Sequence, residues 1–377
     1  MDRLHHLKRL PWLVIVAAAA LTAIGYLSIA RAEEIAGSDG QFARQQLLWA
    51  AIAVVAASAT FAVANYRVLM RYSYLLLVVS TICLAAVYLF PPVNGAHRWI
   101  RVYGFGFQPS EFAKLAFVLA LARYLMYRES YRRIWGLFIP LGLAFIPMVL
   151  ILRESDLGTA LIFLPVLFVM LFAAGARQAH LGLAALTAVA LVPALWSQMS
   201  AEQRSRITAL AEQPLPGQKV SDDAFHLHRA KQVLALGGLL GSAVHGELSE
   251  DRTAYYVPEA HTDSVFSIVG ERLGVVGLAV VLVLYVLIIA RLVALAQKTY
   301  EPFGRLVAVG VASMLGVQVI INTGMMVGVL PITGLALPLV SYGGSSFLAT
   351  AVALGLVLNI AVRQGYEVAR EPFQFAD

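Results

Sequence analysis

Asp263 closes the stretch Val257-Pro258-Glu259-Ala260-His261-Thr262-Asp263, and an almost continuous apolar run, Ser264 to Leu295, begins straight after it. A carboxylate where an exposed loop turns into a membrane helix can stay ionised, face water and still reach a lipid headgroup. Such a group can act as a general base. The competing reading is that Thr262 or Asp263 caps the helix that follows. Ionisable groups inside or at the ends of apolar runs are costly, so each is a functional candidate. Glu111 and Lys114, in Gln108-Pro109-Ser110-Glu111-Phe112-Ala113-Lys114, are three residues apart, share a helix face and can pair. Asp156, in Glu154-Ser155-Asp156-Leu157-Gly158-Thr159-Ala160, stands where a cap would stand. Glu271 and Arg272 lie in the run that follows Asp263; as a helix its 32 residues would measure about 48 Å, against a hydrocarbon core of about 30 Å. Its first turns are therefore expected to project outward or line a cavity, leaving that pair less buried than it looks. Arg98 and Arg101 suit phosphate oxygens. His226, His228 and His261 do not make a zinc set without a third placed ligand. A hard divalent cation, Mg²⁺ or Mn²⁺, at Asp263 fits the chemistry better.

The chain that must position these groups has 377 residues, 60% hydrophobic and only 13% charged. A soluble domain carries roughly 25% charged residues, so the composition indicates a polytopic membrane protein made of helices. The net charge is +6, yet its Lys and Arg fall in short clusters between apolar runs. That is the positive-inside pattern rather than a nucleic-acid surface. The single cysteine, Cys83, rules out an internal disulfide and a Cys-based metal site. No Gly-x-x-x-x-Gly-Lys-Ser/Thr motif is present, which removes a built-in P-loop ATPase.

Ten apolar runs are expected to form membrane helices: Pro11–Ala30, Leu47–Ala64, Tyr74–Phe90, Phe112–Met126, Ile134–Leu152, Leu157–Ala174, His180–Trp196, Ser264–Leu295, Leu306–Leu330 and Gly344–Val362. Ala30-Arg31-Ala32 resembles a signal-peptidase site, but the run before it exceeds the roughly 7–15 residues of a signal core, so it reads as a retained first span. With the N-terminus in the cytoplasm, Arg67, Arg71, Arg123, Arg128, Arg132, Arg133, Arg177, Lys298, Arg305, Arg363 and Arg370 all fall inside, and both termini are cytoplasmic. The connection Pro91–Ser110, with Arg98 and Arg101, breaks the rule; it reads either as statistical tolerance or as an outer phosphate site. The long connection Ser200–Asp263, before the eighth span, has nine acidic and six basic residues and is expected to be solvated outside the cell. Within it, Ala230–Val244 is apolar and glycine-rich, too short to span, and reads as a helix at the interface or on the mouth of the bundle. Residues 1–377 then form a single membrane domain.

The C-terminal stretch Asn322-Thr323-Gly324-Met325-Met326-Val327-Gly328-Val329-Leu330-Pro331-Ile332-Thr333-Gly334-Leu335-Ala336-Leu337-Pro338-Leu339-Val340-Ser341-Tyr342-Gly343-Gly344-Ser345-Ser346 resembles the signature of the SEDS family (shape, elongation, division and sporulation). Gly95-Ala96-His97-Arg98-Trp99 with Gln108 to Lys114, Asp156 to Ala160, and Pro258 to Asp263 with Glu271 and Gly274 resemble the family in the same order. The wording Pro331-Ile332-Thr333-Gly334 is closer to the rod-shape branch than to the division branch. The segment Leu234 to Ala243 departs from the glycine–lysine pattern usual before the aspartate, which bears on loop contacts with substrate. The resemblance implies a peptidoglycan glycosyltransferase of the bacterial cytoplasmic membrane with its active face outside, acting on lipid II with undecaprenyl pyrophosphate as leaving group. It implies Asp263 as the base, Arg98 or Arg101 toward the pyrophosphate, and Glu111, Lys114, Asp156, Glu271 and Ser341 around the cavity. It implies a class B penicillin-binding protein and other elongation or division proteins as partners, among membrane lipids. A lipid II flippase, suggested by the broken helices and intramembrane charges, and a scaffold for the transpeptidase are the alternatives.

Overall fold

The computed structural model describes residues 10–62, 66–93, 96–102, 105–128, 133–190, 193, 196–197, 199–212, 221–246 and 252–363. Its helices are α1 (Trp12–Ala36), α2 (Gln41–Ala62), α3 (Tyr66–Ala86), α4 (Pro109–Tyr127), α5 (Phe138–Arg153), α6 (Leu157–Ala173) and α7 (Gln178–Ala190). There follow α8 (Ala201–Thr208), α9 (Asp222–Leu236), α10 (Val265–Lys298), α11 (Pro302–Val327) and α12 (Gly344–Val362). A short hairpin, Ile100–Val102 against Phe105–Phe107, precedes α4. The protein is all-α and polytopic: among the described residues seven helices are long and apolar enough to cross a membrane. The three remaining apolar runs also fold as helices, α4, α6 and α7.

Helix α4 is the hub. Pro109 pre-sets its first turn, and all but three of its residues are buried, as expected for a helix that is apolar all round. It touches α3, α5, α6, α11 and α12. Helix α2 lies at the edge: only Ala43, Gln46 and Ala53 are buried, and it packs along α12.

The run after Asp263 solves its excess length by breaking. Gly274 has φ 66° and ψ −167°, a backbone region open essentially to glycine alone. Val265–Leu273 is therefore separate from Val275–Lys298, and the latter measures about 36 Å, enough for one crossing. The break orphans N–H groups at the start of the second half. Val275 N–H and Val276 N–H donate instead to the carbonyls of Gly238 (3.0 Å) and Leu239 (3.2 Å). A Cβ on Gly237 would overlap the Gly270 carbonyl oxygen. The apolar run Ala230–Val244 is thus not one helix. Its first part ends α9 at Leu236, its glycines make a turn that caps the broken helix, and Ser242–His245 forms one further helical turn.

Glu271 does not project outward, contrary to the expectation from length. It is fully buried, and its partner is Arg31 of α1 (3.2 Å) rather than Arg272. Helix α1 runs unbroken through Ala30-Arg31-Ala32, so a cleavage there would strand Glu271 without its cation. Removing one partner of a buried pair costs about 3–5 kcal/mol. Arg31→Met is expected to lower the melting temperature in detergent strongly, and Glu271→Gln in the same background to restore part of it.

Candidate active site

The first turns of α2, α4, α6, α10 and α12 meet at one end of the bundle, and the segment 331–345 runs between them. Asp263 is held there by its backbone. Asn322 of α11, fully buried, donates from Nδ2 to the Asp263 carbonyl (2.9 Å) and to the Leu335 carbonyl (2.6 Å). Two residues earlier, the His261 carbonyl accepts the N–H of Tyr342 (2.8 Å). The His261 ring stacks on Phe42 of α2 at 4.1 Å between centroids, with Tyr342 edge-on at 5.9 Å.

Asp263 is 7% exposed. It does not cap: the N-cap residue of α10 is Ser264, whose side chain makes no cap hydrogen bond. The capping reading therefore fails for Asp263. Burial pushes its pKa above the usual range and the charge of Glu259 pushes the same way, while His226 and the Thr262 hydroxyl oppose them. Thr262 Oγ1 lies 3.0 Å from Glu259 Oε2 and 3.2 Å from Asp263 Oδ1. One hydroxyl proton can serve only one of those oxygens.

Asp156 does cap, accepting the Thr159 N–H (3.1 Å) with Oδ1. Its Oδ2 accepts from Gln108 Nε2 (3.3 Å). The Gln108 N–H donates to Ser345 Oγ (3.0 Å), so the Asp156 corner and the Asp263 loop meet on either side of Tyr342–Ser345. Gly158 sits so close to the Thr333 carbonyl that a Cβ would lie 2.7 Å from it. Glu111 and Lys114 form the expected buried pair (2.9 Å). Ser341 Oγ accepts the Leu337 N–H (2.8 Å) and so ties the turn before Tyr342. Arg98 donates to two carbonyls at the end of α5, from Nε to Glu154 (3.2 Å) and from Nη2 to Ser155. Arg101 is exposed on the hairpin.

Sequence reasoning missed two positioning groups and one buried acid. Asn322 is polar inside an apolar run, a signal that was legible. Gln108 gave no comparable signal, whereas Glu154, an ionisable group at the end of an apolar run, did. Both carboxylate oxygens of Glu154 are buried without a hydrogen-bond partner. Burial, then the charge of Asp156, push its pKa up to about 8, against the Arg98 guanidinium. The folded protein thus holds a proton that the unfolded chain releases near the ordinary 4.5. That stabilisation is full below the unfolded value and is lost as pH rises through about 8. Glu154→Gln is expected to raise the melting temperature at pH 9 and to change it little at pH 5.

The fold and the site define a class: a multi-pass helical membrane protein with a buried carboxylate at the converging ends of its helices. A family profile described as "Cell cycle protein", covering FtsW, RodA and SpoVE, matches residues 8–366. The chain is 32% identical over 368 residues to a probable peptidoglycan glycosyltransferase FtsW of Geobacter sulfurreducens (95% of this chain, 96% of that one). It is 37% identical over 336 residues to the stage V sporulation protein E of Bacillus subtilis (85% and 87%), and 36% over 298 residues to the peptidoglycan glycosyltransferase MrdB of Escherichia coli K12 (78% and 79%). Among solved structures it matches a chain reported under structural coordination of polymerization and crosslinking by a peptidoglycan synthase complex, with TM-score 0.80 and 33% identity (95% and 99%). It also matches the rod shape determining protein RodA of Thermus thermophilus, with TM-score 0.70 and 31% identity (95% and 98%). The chain belongs to this family, the SEDS family, and is with it a membrane enzyme of the glycosyltransferase class.

Proposed function

We propose that this protein polymerises lipid II into glycan strands, with Asp263 as general base. The observation that carries the reading is a buried carboxylate, held by its backbone and doing no capping, where five helices begin. The acceptor sugar hydroxyl attacks the anomeric carbon of the donor. Asp263 takes the hydroxyl proton, and the bond from that carbon to phosphate breaks, its electron pair leaving with undecaprenyl pyrophosphate. A carboxylate of raised pKa is a stronger base than an ordinary one. The converging helix N-termini favour an anion at that end. Arg101, exposed on the hairpin, is the arginine more available to the pyrophosphate; Arg98 braces the end of α5. The chain crosses the membrane ten times with both termini in the cytoplasm, as one domain, so the site faces outward from the cytoplasmic membrane. A class B penicillin-binding protein, a transpeptidase, is the partner; the similarity to a chain reported under a complex that coordinates polymerization and crosslinking supports a crosslinking partner.

The residues fit a hard divalent cation. Asp263 and Glu259, the oxygens gathered on Thr262, would hold it. Among the described residues no three His, Cys, Asp or Glu side chains gather; substrate phosphates and water would complete the set, as is common for Mg²⁺. Such an ion supplies charge stabilisation to the leaving pyrophosphate.

Glycan formation from purified lipid II tests the reading, with wild type and Asp263→Asn, with and without the transpeptidase, with Mg²⁺, Mn²⁺ or chelator. Polymer from wild type alone supports it. Polymer from both overturns Asp263 as the base; no polymer from either, even with the transpeptidase, overturns the polymerase reading, in favour of a flippase where lipid II scrambles in liposomes and of a scaffold where it does not.

A further inference from the structure

We propose that His226 is a positioning residue for Asp263, acting through the hydroxyl of Ser264. The inference rests on the reading of Asp263 as the base. Ser264 is the N-cap residue of α10, and serine is a favoured N-cap because its oxygen accepts a backbone N–H from the first turn. Here it accepts none. The hydroxyl, on a residue with no exposed surface, lies 2.7 Å from His226 Nε2 instead. A missing cap costs about 1 kcal/mol, so the diverted hydroxyl marks a bond made for another purpose. The bond holds with the proton on either atom, since hydroxyl and imidazole can each donate or accept.

Helices α8 and α9, within the described part of the long connection, place that imidazole. Ser221 caps α9, accepting the Ala224 N–H (3.3 Å). Asp223 on its first turn accepts from Ser205 of α8 (2.6 Å). The far end of α9 is seated by Gly237 against Gly270 and by the turn that caps the second half of α10. Helix α9 is therefore held at its first turn to α8 and at its far end to α10, the helix that begins two residues after Asp263. His226 sits on its second turn, facing that junction. Asn322 holds the Asp263 carbonyl from the core side, and His226 fixes the next residue from the loop side. Together they hold the backbone that carries the carboxylate from both sides. This assigns the connection Ser200–Asp263 a share in catalysis through geometry.

The test is a double-mutant cycle on lipid II polymerisation in the purified full-length protein. His226→Leu and Ser264→Ala are each expected to lower kcat about 10- to 100-fold with KM and melting temperature little changed. The double variant is expected to lose no more than either single one. His226→Gln keeps a donor and an acceptor at that place and is expected to recover most of the rate. Wild-type kcat in His226→Leu or in Ser264→Ala, or additive losses in the double variant, overturns the proposal. If His226→Leu melts early, Ser264→Ala and His226→Gln carry the decision. Failure of the underlying reading shows separately, as full activity in Asp263→Asn.

Discussion

Asp263→Asn is expected to yield a folded protein that makes no detectable glycan from lipid II. A positioned general base contributes about 10²- to 10⁴-fold, so a loss of at least about 100-fold is expected. The amide keeps the shape of the side chain and removes a charge that burial disfavours. The melting temperature should therefore hold or rise while activity disappears. Loss of rate with loss of folding would instead make Asp263 structural. The pH dependence gives a second check. The base works only when deprotonated, so kcat is expected to fall on acidification through a pKa above the ordinary 3.8 of an aspartate. An acid limb at the ordinary value would count against the buried carboxylate as base.

Gly274→Ala is expected to lower the stability of the bundle strongly. The backbone there is closed to a residue with a side chain, at about 1–3 kcal/mol. The added Cβ would also press on the Leu239 carbonyl and lie 2.6 Å from Gly241 N. Relief requires the glycine turn to lift from α10. That lift removes the carbonyls of Gly238 and Leu239 from the N–H groups of Val275 and Val276, and it frees the end of α9. Polymerisation should fall with it, because the same helix carries His226. The measurement is a thermal melt in detergent beside the polymerisation rate. A variant with wild-type melting temperature and rate would show that the break in α10 is not needed.

The apolar runs determine the helices because a backbone in lipid has to satisfy its own hydrogen bonds; the ten runs read from the sequence all carry helix where the structure describes them. Asp156 as a cap and Glu111–Lys114 as a pair were also legible, since both depend on residues three apart on one helix. The site residues were legible as types: a carboxylate between loop and span is costly wherever it ends up.

What they touch was decided by tertiary structure. Arg31 and Glu271 are 240 residues apart, and no local rule pairs them. Local spacing gave Glu271 the neighbouring Arg272 and a place projecting outward or lining a cavity, less buried than it looks; packing of α1 on α10 gave it full burial and the cation of Arg31 instead. The glycines of 237–241 look in sequence like a weak apolar helix, and their use is visible only once the break at Gly274 presents unpaired N–H groups to them. Asp263 could have capped its helix, as its position allowed. Three long-range contacts, from Asn322 to its carbonyl, from Tyr342 to the His261 carbonyl and from His226 to the Ser264 hydroxyl, hold its backbone and its neighbours instead. Sequence spacing encodes what lies within one or two turns; the backbone around a buried acid is held by groups that only the folded chain brings within 3 Å.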